Sequence, residues 1–196
     1  MNRENDSKQK ILIVDDSEMN RAILSEILND EYDIVEAGNG AEAVAFLQKN
    51  ANEISVVLLD IVMPVMDGYE VLEMMNSRRW IDDIPVIMIS AESSSDSIDR
   101  AYELGVTDFI ARPFDALIVR RRVINTILLY AKQKKLSEMV SDQIYENEKI
   151  SNMMITVLSH IVEFRNGESG LHVLHVQTIT DILLRRLVQI TDKYKL

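Results

Sequence analysis

Cysteine is absent from this sequence of 196 residues. A chain without cysteine has neither a disulfide framework nor a thiolate that could bind a metal, and it suits a reducing cytoplasm. The chain also lacks any apolar stretch near the roughly 18 residues that a membrane-spanning helix needs. Its polar start, MNRENDSKQK, leads directly into ILIV and is not a signal peptide. We therefore expect a cytoplasmic protein without a membrane partner.

Positive charge is also scarce. Lysine and arginine together number 21 against 32 aspartate and glutamate residues, which gives a net charge of −11. Nucleic-acid phosphates and anionic membrane surfaces repel such a chain, so we expect no nucleic-acid partner. The hydrophobic fraction of 47% is nevertheless large enough to build a substantial core.

Short apolar runs alternate with helical patterns through the first 110 residues. The predicted strands are 11–14, 33–37, 55–59, 85–89 and 106–110. The predicted helices are 17–28, 41–48, 68–76 and 94–104. The strands are uniformly apolar rather than alternating, which is typical of a parallel sheet covered by helices on both faces. These repeats predict a doubly wound α/β domain.

Acidic, hydroxyl and basic side chains follow the predicted strands at their carboxyl ends. They are Asp15 and Asp16 after the first strand, Asp60 after the third, Ser90 with Ala91 after the fourth, and Arg112 after the fifth. In an open parallel sheet, the carboxyl ends of the strands form the crevice where ligands bind. We therefore expect these side chains to share one edge of the sheet.

The chemistry of this set points to phosphoryl transfer. Three carboxylates held close together are unstable unless a cation neutralises them, and their oxygens suit Mg²⁺. A metal, a carboxylate nucleophile and a fixed cation together suit phosphoryl transfer. Each aspartate alone would be explained as the cap of a loop or helix. Their convergence with a hydroxyl and a cation instead predicts a site.

Residues 10–130 resemble the receiver domain of two-component response regulators. The motifs that carry the resemblance are ILIVDDS at 11–17, LLDIVMPVMDG at 58–68, VIMISA at 86–91 and FIARPF at 109–114. The resemblance implies a flavodoxin-like domain with five parallel strands in the order 2-1-3-4-5. In this chain a long C-terminal helical extension would follow that domain.

The resemblance also implies the chemistry of the site. Asp60 would be the phosphoacceptor, receiving a phosphoryl group from a sensor histidine kinase, with Mg²⁺ (or Mn²⁺) as the cofactor. Asp16 and Asp60 would bind the metal directly and Asp15 largely through water. The backbone carbonyl of Val62 would complete the metal site.

Three further residues are implied as a switch. Ser90 would hydrogen-bond the phosphoryl oxygens, and the backbone of Ala91 would contact the phosphoryl group. Phe109 would turn inward with Ser90 and bias a two-state equilibrium on the face formed by helix four, strand five and helix five. We expect a homodimer through this face, through the long helix, or through both.

Arg112 departs from the family pattern, in which a lysine precedes the Pro-Phe pair. The positive charge is kept, but the planar guanidinium on the longer arginine side chain does not place its charge where a lysine ammonium would. This departure leaves open an alternative, a pseudo-receiver scaffold that has lost the chemistry and only dimerises. Arg112-Pro113 is also a candidate cis peptide bond, since cis bonds are largely confined to X-Pro.

A long stretch without proline or glycine, 115–164, follows the predicted sheet. Apolar residues recur there at threes and fours, which predicts one long helix, or two nearly continuous ones, with a narrow coiled-coil seam. The stripe consists of Leu129, Leu136, Val140, Ile144, Ile150, Met154, Val157, Ile161 and Phe164. The alternative is a helix that packs on its own domain.

The sequence EFRNGESGLHVLH, at 163–175, resembles the opening of an HD-GYP domain, a metal-dependent phosphodiesterase of cyclic di-GMP. The matching residues are Arg165, Glu168 and His172. Glu168 and His172 are four residues apart and could share a metal on one helical face. However, the chain contains no His-Asp pair and no Gly-Tyr-Pro. We therefore expect no phosphodiesterase activity, and the alternative of a phosphodiesterase fragment without its catalytic part stays open.

The sequence thus predicts four segments. They are a polar tail at 1–9, a receiver domain at 10–131, a linker or coiled-coil helix at 132–164 and a partial HD-GYP-like helical segment at 165–196. The predicted function is that of a phospho-accepting response regulator whose long helix passes the signal to an output domain. Its own chemistry would be limited to self-phosphorylation and autodephosphorylation of the receiver.

Overall fold

Five parallel strands form one sheet in a computed structural model, which describes residues 8–91 and 94–166, together with 175, 178, 179 and 182. The strands are β1 (Lys10–Val14), β2 (Asp33–Ala37), β3 (Ile54–Leu59), β4 (Val86–Ser90) and β5 (Asp108–Ala111). Their order across the sheet is β2-β1-β3-β4-β5, and neighbouring strands are parallel. The predicted fold class and strand order are therefore confirmed.

A helix follows each strand. The helices are α1 (Glu18–Leu28), α2 (Gly40–Asn50), α3 (Gly68–Ser77), α4 (Ser95–Glu103) and α5 (Ala116–Asn166), with short 3-10 turns at Ala51–Glu53 and Trp80–Asp82. The side chains that cap the first four helices by accepting a backbone N–H are those of Ser17, Asn39, Asp67 and Ser94. In α3, Glu70 also reaches back to the Asp67 backbone and completes a capping box. Local sequence thus determines where these helices begin.

Several strand boundaries differ from the sequence prediction by one or two residues, and those of β4 and β5 bear on the site. Ser90 is the last residue of β4 rather than the first residue after it, and β5 begins at Asp108 rather than at residue 106. The N–H of Val106 donates to the carbonyl of Ala101 at 3.1 Å, so Val106 closes the end of α4 instead of joining the sheet. Gly105, with φ of 92°, makes the turn between that helix end and the strand.

Alternate strand residues pack on opposite faces of the sheet. The face that carries α1 and α5 holds Ile11, Ile13, Val56, Leu58, Ile87 and Ile89. The face that carries α2, α3 and α4 holds Leu12, Val14, Val57, Leu59, Val86 and Met88. The three central strands are therefore buried on both sides, which explains their continuous apolar sequence. This burial is the main stabilising contribution to the domain and holds the strand ends in place.

The long helix α5 is continuous over its 51 residues. Of the two sequence predictions, one long helix or two nearly continuous ones, the first is therefore confirmed. The chain divides into two compact units between Lys134 and Lys135, and α5 contributes to both. In the first unit, Val119 and Val123 of α5 pack on the sheet. In the second unit, the apolar stripe from Leu136 to Ile161 is largely exposed. Within the part of the chain that the structure describes, no helix is long and apolar enough to cross a membrane.

Gly68 lies where a side chain does not fit. A Cβ atom at this position would be 2.3 Å from the carbonyl oxygen of Asp60. The Gly68 N–H donates to the Ile61 carbonyl at 2.9 Å, so the chain doubles back on the end of β3. The glycine at the end of LLDIVMPVMDG therefore permits this close approach of backbone to backbone.

We predict that Gly68→Ala lowers the free energy of unfolding by about 1–3 kcal/mol, the usual effect of overpacking a closed position. Gly38→Ala is the matched control, because a Cβ atom there meets nothing closer than Glu42 Oε2 at 3.5 Å. Urea denaturation followed by circular dichroism measures both variants. Equal losses of stability in the two would show that the close approach to Asp60 is unimportant.

Candidate functional site

The carboxyl edge of the sheet brings the predicted acids together. Asp60 follows β3, and its N–H donates to the Val14 carbonyl at 2.9 Å. Asp15 follows β1, and its N–H donates to the Ala37 carbonyl at 3.2 Å. Asp60 thus continues the pairing of β3 with β1, and Asp15 continues that of β1 with β2. The strand order reverses between β1 and β3, which is where open α/β sheets bind their ligands.

Asp15, Asp16 and Asp60 form one acidic cluster. One carboxylate oxygen from each residue lies within 4.8 Å of the other two. Asp15 and Asp60 are buried, whereas Asp16 is exposed. Hard divalent cations such as Mg²⁺ prefer oxygen ligands and retain several waters, for which the exposed side of the cluster leaves room. The donor set therefore fits a divalent metal ion.

Hydrogen-bond donors surround Asp15. Its Oδ1 accepts from the Ser17 backbone N–H at 2.9 Å and from Asn20 Nδ2 at 3.1 Å. Its Oδ2 pairs with Arg112. Sequence reasoning missed Asn20 and treated Ser17 only as a helix cap. Asn20 could have been found from its place in the first turn of α1, because helical side chains point back toward the N-terminus and so toward the acids.

Asp60 lies in surroundings that oppose its negative charge. Burial raises the pKa of Asp60 above its ordinary value and prevails over the nearby Arg112 guanidinium, which lowers it. The charge of Asp15 raises this pKa further. The Ile61 N–H, which donates to Oδ1 at 2.8 Å, and a hydrogen bond with Ser90 act in the opposite direction. Asp60 therefore holds a proton more strongly than an ordinary aspartate does.

Arg112 connects the two buried acids. Its Nη2 pairs with Asp15 Oδ2, and its Nη1 lies 3.3 Å from Asp60 Oδ2. The side chain is 18% exposed. Its Nε is buried and has no hydrogen-bond partner among the described residues. The Arg112-Pro113 peptide bond is cis, as the sequence suggested.

The other predicted site residues lie around the same edge. Ser90 is buried at the end of β4 and hydrogen-bonds Asp60. Ala91 follows it and is exposed, and Val62 lies in the loop after β3 with an exposed side chain. Phe109 in β5 packs, partly buried, against the core under α2, α3 and α4. The roles expected of Ala91, Val62 and Phe109 stay predictions.

The residues that resemble an HD-GYP opening fall mostly outside the part of the chain that the structure describes. Glu168, His172 and the side chain of Arg165 lie outside the described residues. His160 is exposed on α5, with its Nδ1 2.8 Å from the Thr156 carbonyl oxygen. The sharing of a metal by Glu168 and His172 therefore stays a prediction.

Comparisons with known proteins match the part of the chain that forms the sheet. A family model described as the response regulator receiver domain matches residues 11–123. The chain belongs to the response regulator receiver family. The receiver is 31% identical over 116 residues to a chemotaxis protein CheY homolog of Campylobacter jejuni, covering 58% of this chain and 88% of that protein. It also resembles a solved CheX-CheY-BeF₃-Mg²⁺ complex of Borrelia burgdorferi, with a TM-score of 0.58, 32% identity and coverage of 64% of this chain and 93% of that one.

A further relative matches beyond the receiver. A probable cyclic di-GMP phosphodiesterase of Vibrio cholerae is 32% identical over 203 residues, which cover 100% of this chain. The chain spans 45% of the length of that relative. The similarity continues through α5, which is consistent with a receiver followed by an HD-GYP-like output segment.

We predict that Asp60→Asn raises the melting temperature of the protein in EDTA at pH 7. Because the pKa of Asp60 is raised in the folded state, the unfolded state loses this proton first as the pH rises, and stability falls across that interval. Below the ordinary aspartate pKa both states are protonated and the loss disappears. The gain from asparagine should therefore shrink as the pH is lowered toward that value.

Differential scanning calorimetry from acidic to neutral pH measures this dependence. Asp82→Asn is the control, because it removes the same charge from an exposed position in the 3-10 turn before β4. A melting temperature for Asp60→Asn below that of the native chain at pH 7 would contradict the expectation.

Proposed function

We propose that this protein is a phospho-accepting response regulator in which Asp60 receives a phosphoryl group from a sensor histidine kinase. The observation that carries the proposal is the position of Asp60, buried where the strand order reverses and 3.3 Å from a guanidinium inside an acidic cluster. A carboxylate that only caps a loop needs no such surroundings. Membership of the receiver family, and similarity to a CheY solved with BeF₃ and Mg²⁺, support the proposal.

The metal, Mg²⁺ or Mn²⁺, would be held by Asp15, Asp16, Asp60 and the backbone carbonyl of Val62. Bound there, it would neutralise negative charge on the phosphoryl oxygens during transfer. Asp16 offers an exposed carboxylate, whereas Asp15 already accepts hydrogen bonds from its own loop and from α1. This difference supports direct binding by Asp16 and binding through water by Asp15.

The transfer uses groups that already lie beside Asp60. One carboxylate oxygen bonds to phosphorus as the bond from phosphorus to the kinase histidine nitrogen breaks, and the electron pair of that bond stays on the imidazole. The product is an acyl phosphate. Arg112 and Ser90 both contact the carboxylate, so they are placed to bind the phosphoryl oxygens, with the Ala91 backbone as a third partner.

The signal would leave the site through β4 and β5. Ser90 pairs with Ala111 across these strands. Two residues earlier along the same strands, Met88 pairs with Phe109. Movement of Ser90 toward the phosphoryl group would draw Phe109 inward and change the face formed by α4, β5 and α5. Because α5 is one continuous helix, it can carry this change toward an output domain.

Beryllofluoride, which imitates a phosphoryl group, tests the switch. With Mg²⁺ present, we predict amide chemical-shift changes in the native chain at Asp60, Ser90 and Phe109, measured by ¹H–¹⁵N NMR. Asp60→Asn should show none of these changes, because the fluoride adduct needs the carboxylate. Asp82→Asn, at its exposed position, should respond as the native chain does.

A native chain that shows no response would favour the alternative function. In that case the protein would be a pseudo-receiver scaffold, with Arg112 marking the loss of chemistry. A response retained in Asp60→Asn would mean that the adduct forms elsewhere, which also contradicts the assignment of the phosphoacceptor.

We further propose that α5 forms a parallel homodimer in its second half. Steps of four and three residues from Leu136 define a coiled-coil seam, which consists of Leu136, Val140, Gln143, Asn147, Ile150, Met154, Val157 and Ile161. The six apolar members are 47–62% exposed, whereas Ser159, on another side of the helix, is buried. Asn147 falls at an a position of the heptad. Asparagine there favours pairing with its own copy in a parallel, in-register dimer.

We predict that Val157→Asp weakens this dimer by more than about tenfold, because it places two like charges in an apolar seam. Sedimentation equilibrium measures the dissociation constant. Asn152→Asp adds the same charge to an exposed position outside the seam and should leave dimerisation unchanged. A native chain that is monomeric at every concentration, or equal effects of the two variants, would exclude this seam.

The proposal also covers the division of the chain and its output segment. We propose a tail at 1–9, a receiver at 10–131, a linker helix at 132–164 and an HD-GYP-like segment at 165–196, in a cytoplasmic protein without a nucleic-acid partner. The HD-GYP-like assignment rests on the motif at 163–175 and on similarity to the Vibrio cholerae relative over the whole chain. Residues 1–196 contain no His-Asp pair and no Gly-Tyr-Pro, so we expect no phosphodiesterase activity from them alone.

A further inference from the structure

We propose that Arg112 is a built-in counter-ion that competes with the divalent cation for Asp15. The inference rests on the proposed function in one respect, that a divalent cation binds the acidic cluster. We use "arginine bridge" for the contacts of Arg112 with Asp15 and Asp60. The bridge must open at Asp15 before that carboxylate can serve the metal, either directly or through water.

The arginine bridge spans the sheet edge from β5 to β1. Arg112 follows β5, and its backbone N–H donates to the Ser90 carbonyl at 2.9 Å, so this backbone continues the pairing with β4. Asp60 and Asp15 follow the next two strands, β3 and β1. The side chain of Arg112 therefore crosses the end of β4 to reach both acids. Its length and the two terminal nitrogens of its guanidinium make this possible.

Burial makes the arginine bridge necessary. Asp15 is 1% exposed and Asp60 is 5% exposed. Two buried carboxylates at this separation repel each other unless a cation lies between them. One guanidinium serves both, because Nη2 faces Asp15 while Nη1 faces Asp60. A divalent cation in the cluster would offset the same two charges, and it would repel the guanidinium.

Lysine would not form the same bridge. Its ammonium is a compact point charge, whereas the guanidinium presents several donors in a rigid plane. A lysine at position 112 would pair closely with one acid and leave the other available to the metal. The arginine therefore predicts weaker metal binding in this receiver than an otherwise identical lysine variant would show.

The third nitrogen of the guanidinium, Nε, makes no hydrogen bond to a described residue in the arginine bridge. Nε is buried and has no acceptor among the described residues. A buried donor without an acceptor is unfavourable. A phosphoryl group on Asp60 would bring additional oxygens beside the fork, which binds phosphate well in two-point contacts. Arg112 thus leaves Asp15 and turns onto the phosphoryl oxygens when Asp60 is phosphorylated.

Isothermal titration of MgCl₂ into the full chain tests the competition. Arg112→Lys should bind Mg²⁺ about tenfold more tightly than the native chain, because it keeps the charge but frees one acid. Arg112→Met should bind at least as tightly as Arg112→Lys. Arg120→Lys is the matched control and should equal the native chain, since Arg120 contacts the Ile27 carbonyl at 2.7 Å and Glu31 at 3.8 Å.

The outcomes separate the inference from the proposed function. Equal Mg²⁺ affinity in the native chain and Arg112→Lys, whatever Arg112→Met does, would overturn the arginine bridge while leaving the metal site intact. Mg²⁺ binding in none of the proteins would instead contradict the proposed function. Melting temperatures with and without Mg²⁺ give a second readout, in which Arg112→Lys should gain more than the native chain. If Arg112→Met does not fold, the lysine variant decides alone.

Discussion

The repulsion between two buried carboxylates is the constraint on which this receiver depends. Asp15 and Asp60 lie at the junction of β1 and β3, and both are almost completely removed from solvent. Such a pair is unfavourable without a cation. Arg112 supplies one cation in this structure, and a divalent metal ion would supply another. In the chemistry proposed for the site, Arg112 and a divalent metal ion alternate as the cation that neutralises Asp15 and Asp60.

Rigid packing allows the protein to keep the two acids together. The strands that carry them are buried on both faces, so their ends have little freedom to separate. Gly68 lets the following loop return against Asp60 without a clash. Val119 and Val123 of α5 pack on the same sheet, and this helix continues to Asn166. The sheet that carries the two acids and the first part of α5 therefore share one core.

The fold followed closely from short-range signals. Uniformly apolar strands indicated two covered faces, and capping residues such as Ser17 and Asp67 marked where helices begin. The start of β5 was predicted too early because Val106 is apolar enough for a strand. Its N–H bonds to the Ala101 carbonyl, and that contact depends on where α4 ends and on the turn at Gly105. Hydrophobic pattern cannot distinguish between two buried environments of this kind.

The sequence by itself determined which acids share the site, since parallel strands end at one edge and each strand exit can be counted along the chain. It also marked Arg112 as a departure from the receiver pattern. Only the tertiary structure decided that Arg112 joins Asp15 to Asp60, that Asn20 holds Asp15, and that burial prevails over Arg112 in raising the pKa of Asp60. These properties depend on distances between side chains from different strands and on their exclusion from water. Neither quantity is encoded in spacing along the chain.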